Sequence, residues 1–314
     1  SDADEATLGT DPNDPTSPSE NKLTATNGGI YYDDENGEYV SEGGGYGRAV
    51  SMDGDTVVIS ASDDGTNTHR PGAFYVYIRN NDVWIEQQKI VPYRPSGGHF
   101  GHSISISGDT VVIGAYDEMV SSNRVGAAYV YVRSNGFWSF QQKLNEQNAT
   151  RPRFGYSVSI DGDTAVIGSL ESPHYSAYVF VRNNGVWSEQ AKLTASDGDD
   201  DFSGFGRRVT IDGDTAVISG ADYGNSQDSA YVFVRNNGVW SEQQKLSPSD
   251  GATVDFGNSF SIDGDTLVIG AQHDDGSGSA YVFMRNNGVW TEQQKLTASD
   301  GATGDSFGYS VSID

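Results

Sequence analysis

The sequence has no cysteine among its 314 residues. That excludes a disulfide framework, a thiolate nucleophile and a zinc–thiolate site. It leaves the compartment open, because secreted proteins can also lack cysteine. Basic residues are scarce: 19 Lys and Arg stand against 44 Asp and Glu, a formal net charge of −25. Such a surface repels phosphate backbones and anionic lipid, which argues against nucleic acid and membrane surfaces as partners. No apolar run approaches the roughly 18 residues that a transmembrane helix needs. No signal peptide is visible, and no segment shows a capped helical period. The chain opens at Ser1 without a methionine, which fits a processed, secreted product.

What the chain has in abundance is repetition. Residues 1–21, "SDADEATLGTDPNDPTSPSEN", are acidic, rich in Pro, Ser and Thr, and too poor in apolar residues to offset chain entropy. They are expected to be a disordered linker. From Lys22 onward an aromatic–glycine pair recurs at Tyr46-Gly47, Phe100-Gly101, Phe154-Gly155, Phe205-Gly206, Phe256-Gly257 and Phe307-Gly308, at spacings of 54, 54, 51, 51 and 51 residues. A D/S-G-D-T turn follows at 53–56, 107–110, 161–164, 212–215 and 263–266. Each unit ends on a tryptophan (Trp84, Trp138, Trp187, Trp240, Trp290) and a lysine before Leu or Ile.

One unit predicts four strands. "FGYSVSID" (154–161) alternates as a half-buried strand does. "DGDT" supplies a tight turn, and "TAVIGS" (164–169) is a short second strand. "SAYVFVR" (176–182) places Tyr178 and Phe180 on one face, Val179 and Val181 on the other. "NNG" is a hairpin turn, and "VWSEQAKL" (186–193) is polar enough to lie outermost. Four short antiparallel strands per unit of about 50 residues is the pattern of a β-propeller blade. The expected fold is all-β, with five complete blades and partial strands at both ends.

"FGYSVSIDGDTAVIGS…SAYVFVRNNGVWSEQAKL" resembles the FG-GAP repeat, the blade unit of the integrin α-subunit propeller, and looks most like its bacterial and algal variety. The resemblance covers residues 22–314. It implies an extracellular propeller used for adhesion, ligand display or assembly, often with calcium in its loops. The integrin propeller has seven blades. Here "KLTAT" (22–26) is a lone fourth strand and "SFGYSVSID" (306–314) a lone first strand, so the chain is expected to be part of a longer protein. The insert "IYYDDENGEYV" (30–40) is expected to form a hairpin that could supply missing middle strands.

Calcium needs six to eight oxygens on a Gly-containing loop. The candidates are Asp197, Asp199 and Asp201, Asp250 and Asp255, and Asp300 and Asp305, all in loops before an FG marker. The full integrin-type D-x-D-x-D-G-x-x-D loop is absent, and the same acids could simply hold turns through side-chain to backbone bonds. His99 and His102 of "HFGH" are expected to diverge and not to share a metal. No nucleophile elbow or phosphate-cradling loop is present. Partner contacts are expected where the repeats deviate: Tyr31 and Tyr32 in the insert, Asp117, Glu118 and Arg124 in 116–126, and Asn148 in 145–153. The expected function is a non-catalytic, extracellular binding or structural module for a protein or glycan at a cell surface. The alternative is a propeller hydrolase or lyase that attacks a polysaccharide with axial carboxylates.

Overall fold

A computed structural model describes residues 29–33, 38–42, 45–66, 71–92, 98–120, 123–146, 153–170, 175–197, 204–220, 228–251 and 254–314. The expected linker at 1–21 and the strand at 22–26 lie outside the described residues. The chain forms a β-propeller of five four-stranded antiparallel sheets: blade 1 (Tyr46–Ile90), blade 2 (Ser103–Leu144), blade 3 (Phe154–Leu193), blade 4 (Val209–Leu246) and blade 5 (Ser259–Leu296).

Blade 3 shows how the repeat is built. Its strands are Phe154–Asp161, Thr164–Ser169, Ser176–Asn183 and Val186–Leu193, paired in chain order. Asn184 and Gly185 take φ of 50° and 82°, the positive values that a two-residue hairpin turn requires. Gln190 is an extra residue opposite the third strand, because Val179 pairs with Ala191 while Phe180 pairs with Glu189. This bulge recurs in every blade and twists the outer edge.

Neither face of a blade can be dry alone, so blades stack. Tyr178, Phe180 and Trp187 pack with Val112, Val130 and Leu144 of blade 2. On the other face Val166, Val179 and Leu193 pack with Phe205, Tyr231 and Phe233 of blade 4. The period-2 reading of the third strand therefore holds. Each buried aromatic contributes very roughly 2–3 kcal/mol.

The FG pair has a steric reason. Phe154 is fully buried. Gly155 takes φ of 86°, and a Cβ there would lie 2.2 Å from the Ala127 carbonyl oxygen of blade 2. Only glycine lets one blade's chain run this close to the next.

First strands of neighbouring blades lie side by side and line the axis. Residues 306–314 take the place of a sixth first strand. Phe307 bridges to Gly278 as Phe154 does to Gly126. Ser259 Oγ donates to the Gly308 carbonyl at 2.9 Å, as Ser157 does to Gly206 at 2.8 Å. The insert forms the expected hairpin, Gly29–Asp33 with Glu38–Glu42. It extends the blade 1 loop through Gly65–Thr66 and, among the described residues, supplies no middle strands of a blade.

Candidate functional site

Most repeated polar residues prove to be fasteners between blades. Arg182 shares the blade 3 pattern: its Nε lies 2.6 Å from Asp163 of its own DGDT turn. Its Nη1 donates to Thr110 Oγ1 of blade 2 at 2.7 Å. Its guanidinium lies 5.1 Å from the Trp187 ring centre. Arg133, Arg235 and Arg285 repeat all three contacts. The first turn residue links blades too: Asp161 accepts from the Gly213 N–H of blade 4 at 2.8 Å.

The lysines gather the acidic loops. Lys245 Nζ lies 2.7 Å from Asp197, which also accepts from the Tyr231 hydroxyl at 2.8 Å. Burial raises the Asp197 pKa, but the bonds from Lys245 and Tyr231 outweigh it and hold the carboxyl below its usual range. Lys295 Nζ lies 2.8 Å from each of Asp250, Asp274 and Asp275. Asp274 is buried, and there too burial is outweighed, so its pKa is lowered.

The calcium candidates therefore sit as follows. Asp197 and Asp250 hold lysines. Asp255 contacts Gln272 and His273. Asp305 accepts from the Ala302 N–H at 2.7 Å, a local turn bond. Asp300 is exposed. Asp199 and Asp201 lie outside the described residues. Among the described residues, no three acidic or histidine side chains meet in a metal-holding group.

The deviating loops divide by role. Glu118 is buried and holds Lys143 and the Tyr129 hydroxyl, each at 2.5 Å, the same fastening. Asp117 pairs with the exposed Arg124 at 3.0 Å. Tyr31 and Tyr32 lie in the strand Gly29–Asp33. Asn148 lies outside the described residues.

A cavity of about 600 Å³ opens on the axis. Its lining includes Arg48, His102, Tyr156, Arg208, Tyr309 and Asp63, from blades 1 to 4 and the sixth strand. Arg48, His102, Tyr156 and Tyr309 follow the FG glycine directly, and Arg208 stands one place further. At that further place the other units carry Ala49, Ser103, Ser157, Ser259 and Ser310. Arg208 alone is charged there. Its Nε donates to the Asn258 carbonyl at 2.8 Å.

Arg48 Nε and Nη2 lie 3.2 and 3.1 Å from His102 Nδ1. A guanidinium has only donors, so Nδ1 accepts and the ring proton sits on Nε2. Burial, with Arg48, His99 and Arg208 nearby, lowers the His102 pKa to about 3. The imidazole is therefore neutral at pH 7. Its ring lies 4.4 Å from Tyr116 and 4.8 Å from Tyr156, centre to centre. His99 lies 3.9 Å from Asp117 and its ring 5.3 Å from Tyr116, centre to centre, so the two histidines share Tyr116 and differ in their polar partners, Asp117 and Arg48. Aligning the units on their FG markers would have exposed this column, which varies inside a constant frame. Asp63 is the one carboxylate among the described lining residues, where carboxylate-driven glycoside cleavage needs a pair.

The FG-GAP repeat family matches residues 19–77, 84–131, 138–180, 187–233, 240–283 and 290–314. Among curated proteins none matches this chain. Solved structures share the fold at low identity. A functionally unknown protein of Desulfotomaculum acetoxidans is 11% identical with a TM-score of 0.58, covering 86% of this chain and 76% of that one. A protein of Bacteroides uniformis, provisionally assigned as a 6-phosphogluconolactonase, is 15% identical with a TM-score of 0.55, covering 85% and 77%.

Proposed function

The chain belongs to the FG-GAP repeat family, and on that premise we propose that it is a non-catalytic binding module of an extracellular or cell-surface assembly, holding a protein or glycan at the axial mouth of its propeller. One observation carries this reading. The fastening residues recur from blade to blade, while the residues at the axial cavity differ: Arg48, His102, Tyr156, Arg208 and Tyr309. A regular scaffold with variation gathered at one concave face is the arrangement of a recognition site. The net charge of −25 supports an extracellular setting, since it favours solubility and discourages non-specific adsorption to polyanions.

The test is an array of extracellular polysaccharides and surface proteins probed with the purified chain. Saturable binding, abolished by the pair His102→Ala and Tyr156→Ala, is the expected result. Binding that ignores that pair, or no binding at all, overturns the reading. Incubation with the bound polysaccharide should release no new reducing ends or unsaturated products, and their appearance would make the protein an enzyme.

A further inference from the structure

We propose that the axial cavity binds a ligand through a single oxyanion: a carboxylate, sulfate ester or phosphate ester on a small, otherwise neutral body such as a sugar. This deepens the binding-module reading and rests on its choice of the axial mouth.

The chain is strongly acidic, yet the cavity gathers the Arg48 and Arg208 guanidiniums. Six other arginines carry carboxylate partners: Arg79, Arg133, Arg182, Arg235 and Arg285 each pair with the aspartate at the third place of their own turn, and Arg124 pairs with Asp117. Arg48 and Arg208 differ from these six. Among the described residues, the side-chain bonds of Arg48 go to a neutral imidazole, and those of Arg208 go to main-chain carbonyls. Burial is the largest influence and disfavours the Arg208 charge; Arg207 and Arg48 add to it, while Tyr156 and Tyr309 partly offset it. Cations set near one another with neutral partners leave a positive potential that an incoming anion would relieve.

The remaining polar groups agree. His102 presents Nε2–H, and the Tyr156 and Tyr309 hydroxyls can donate. The donors outnumber the one carboxylate, Asp63, which suits the hydroxyl groups of a ligand body. The volume, about 600 Å³, falls within the roughly 300–1,000 Å³ range of small-molecule sites. The charge of the whole chain limits the ligand further. A dense polyanion would meet long-range repulsion from 44 acidic residues. One oxyanion, reaching a local cluster within a Debye length, would not.

The experiment titrates the full chain with glucuronic acid, with glucose, and with an oligosaccharide carrying one terminal glucuronate, by calorimetry at low salt. The variant is Arg208→Ser, which installs the residue of the equivalent place in blades 2, 3 and 5, and its melting temperature checks folding. Glucuronic acid should bind and glucose should not. Inorganic sulfate should compete. Arg208→Ser should weaken binding about 10- to 100-fold, the loss of one charge-assisted contact. Tighter binding of the oligosaccharide than of the free acid would identify a glycan end as the source; equal binding would identify a free small acid. Equal affinity for glucose, no binding of either acid, or an unchanged Arg208→Ser variant overturns the oxyanion site. If array partners are captured while the acids fail, the oxyanion inference falls alone. If the acids bind and no surface partner is captured, the adhesive reading falls and the site stands.

Discussion

Arg182 looks like a surface charge in the sequence and is a three-way fastener in the fold. Its partner Asp163 is largely exposed, so the ion pair alone is worth at most about 1 kcal/mol. The bond to Thr110 and the stacking on Trp187 add about 1 kcal/mol each. Arg182→Lys keeps the charge and loses the planar fork, so it should cost about 1 kcal/mol. Chemical denaturation measures this, and an unchanged midpoint would reduce the arginine to surface charge. Gly155→Ala should cost more, about 2–4 kcal/mol. It pays for a positive φ and for a Cβ 2.2 Å from the Ala127 carbonyl. A stable Gly155→Ala protein would mean the blades can separate there without penalty. Arg208→Ser should hold or raise the melting temperature, because a serine there regains the inter-blade bond that Ser157 makes to Gly206. A clear loss would show Arg208 to be structural.

Strands were legible because each obeys a local rule. The alternation of Tyr178, Val179, Phe180 and Val181, the Asn-Gly turn and the Asp-Gly turn all act within a few residues. What lies between blades was not legible, because it joins residues about 50 positions apart. The paired glutamines show this. Gln142 Nε2 donates to the Trp187 carbonyl at 2.8 Å, and its Oε1 accepts from the Trp187 N–H at 2.9 Å. Gln88 and Gln244 do the same to Trp138 and Trp290. Blade 3 carries Ala191 at this place, so the clamp onto Trp240 is missing, and Trp240 is 9% exposed against 3% for Trp187. Ala191→Gln should therefore stabilise by about 1 kcal/mol, two hydrogen bonds less the entropy of ordering one side chain. Equilibrium unfolding would show it. A destabilised variant would mean the blade 3–4 seam has closed in a way that leaves no room for the clamp. The axial site was hidden for the same reason. Arg48, His102 and Arg208 become neighbours only when blades close around the axis.

The whole molecule sets two opposing electrostatic effects against each other. Locally, fastened charges favour the fold over a defined pH window. The carboxyls of Asp197 and Asp274 are lowered, so their contribution is present above the unfolded carboxylate pKa of about 4 and is lost as pH falls through the folded value. The Lys295 ammonium is raised, so its contribution is present below about pH 10.4 and is lost as pH rises through the folded value. Melting temperature should be flat from about pH 6.5 to about 10.4 and fall on both sides. The acid fall begins as the unfolded His102 ring takes up a proton that the folded ring, lowered to about 3, refuses, and a maximum near pH 3 would contradict both this and the lysine-centred clusters. Globally, a net charge of −25 repels itself in the compact state. Salt discriminates the two effects. It screens charges beyond a Debye length, about 30 Å at 0.01 M and about 8 Å at 0.15 M. The fasteners are contacts of about 3 Å, several partly buried, and survive such screening. The distributed repulsion does not survive it. Raising sodium chloride from 10 to 500 mM, as trial conditions on either side of physiological strength, should therefore raise the melting temperature. A fall would mean that the ion pairs outweigh the self-repulsion and that the acidity of the surface is fully compensated within the blades.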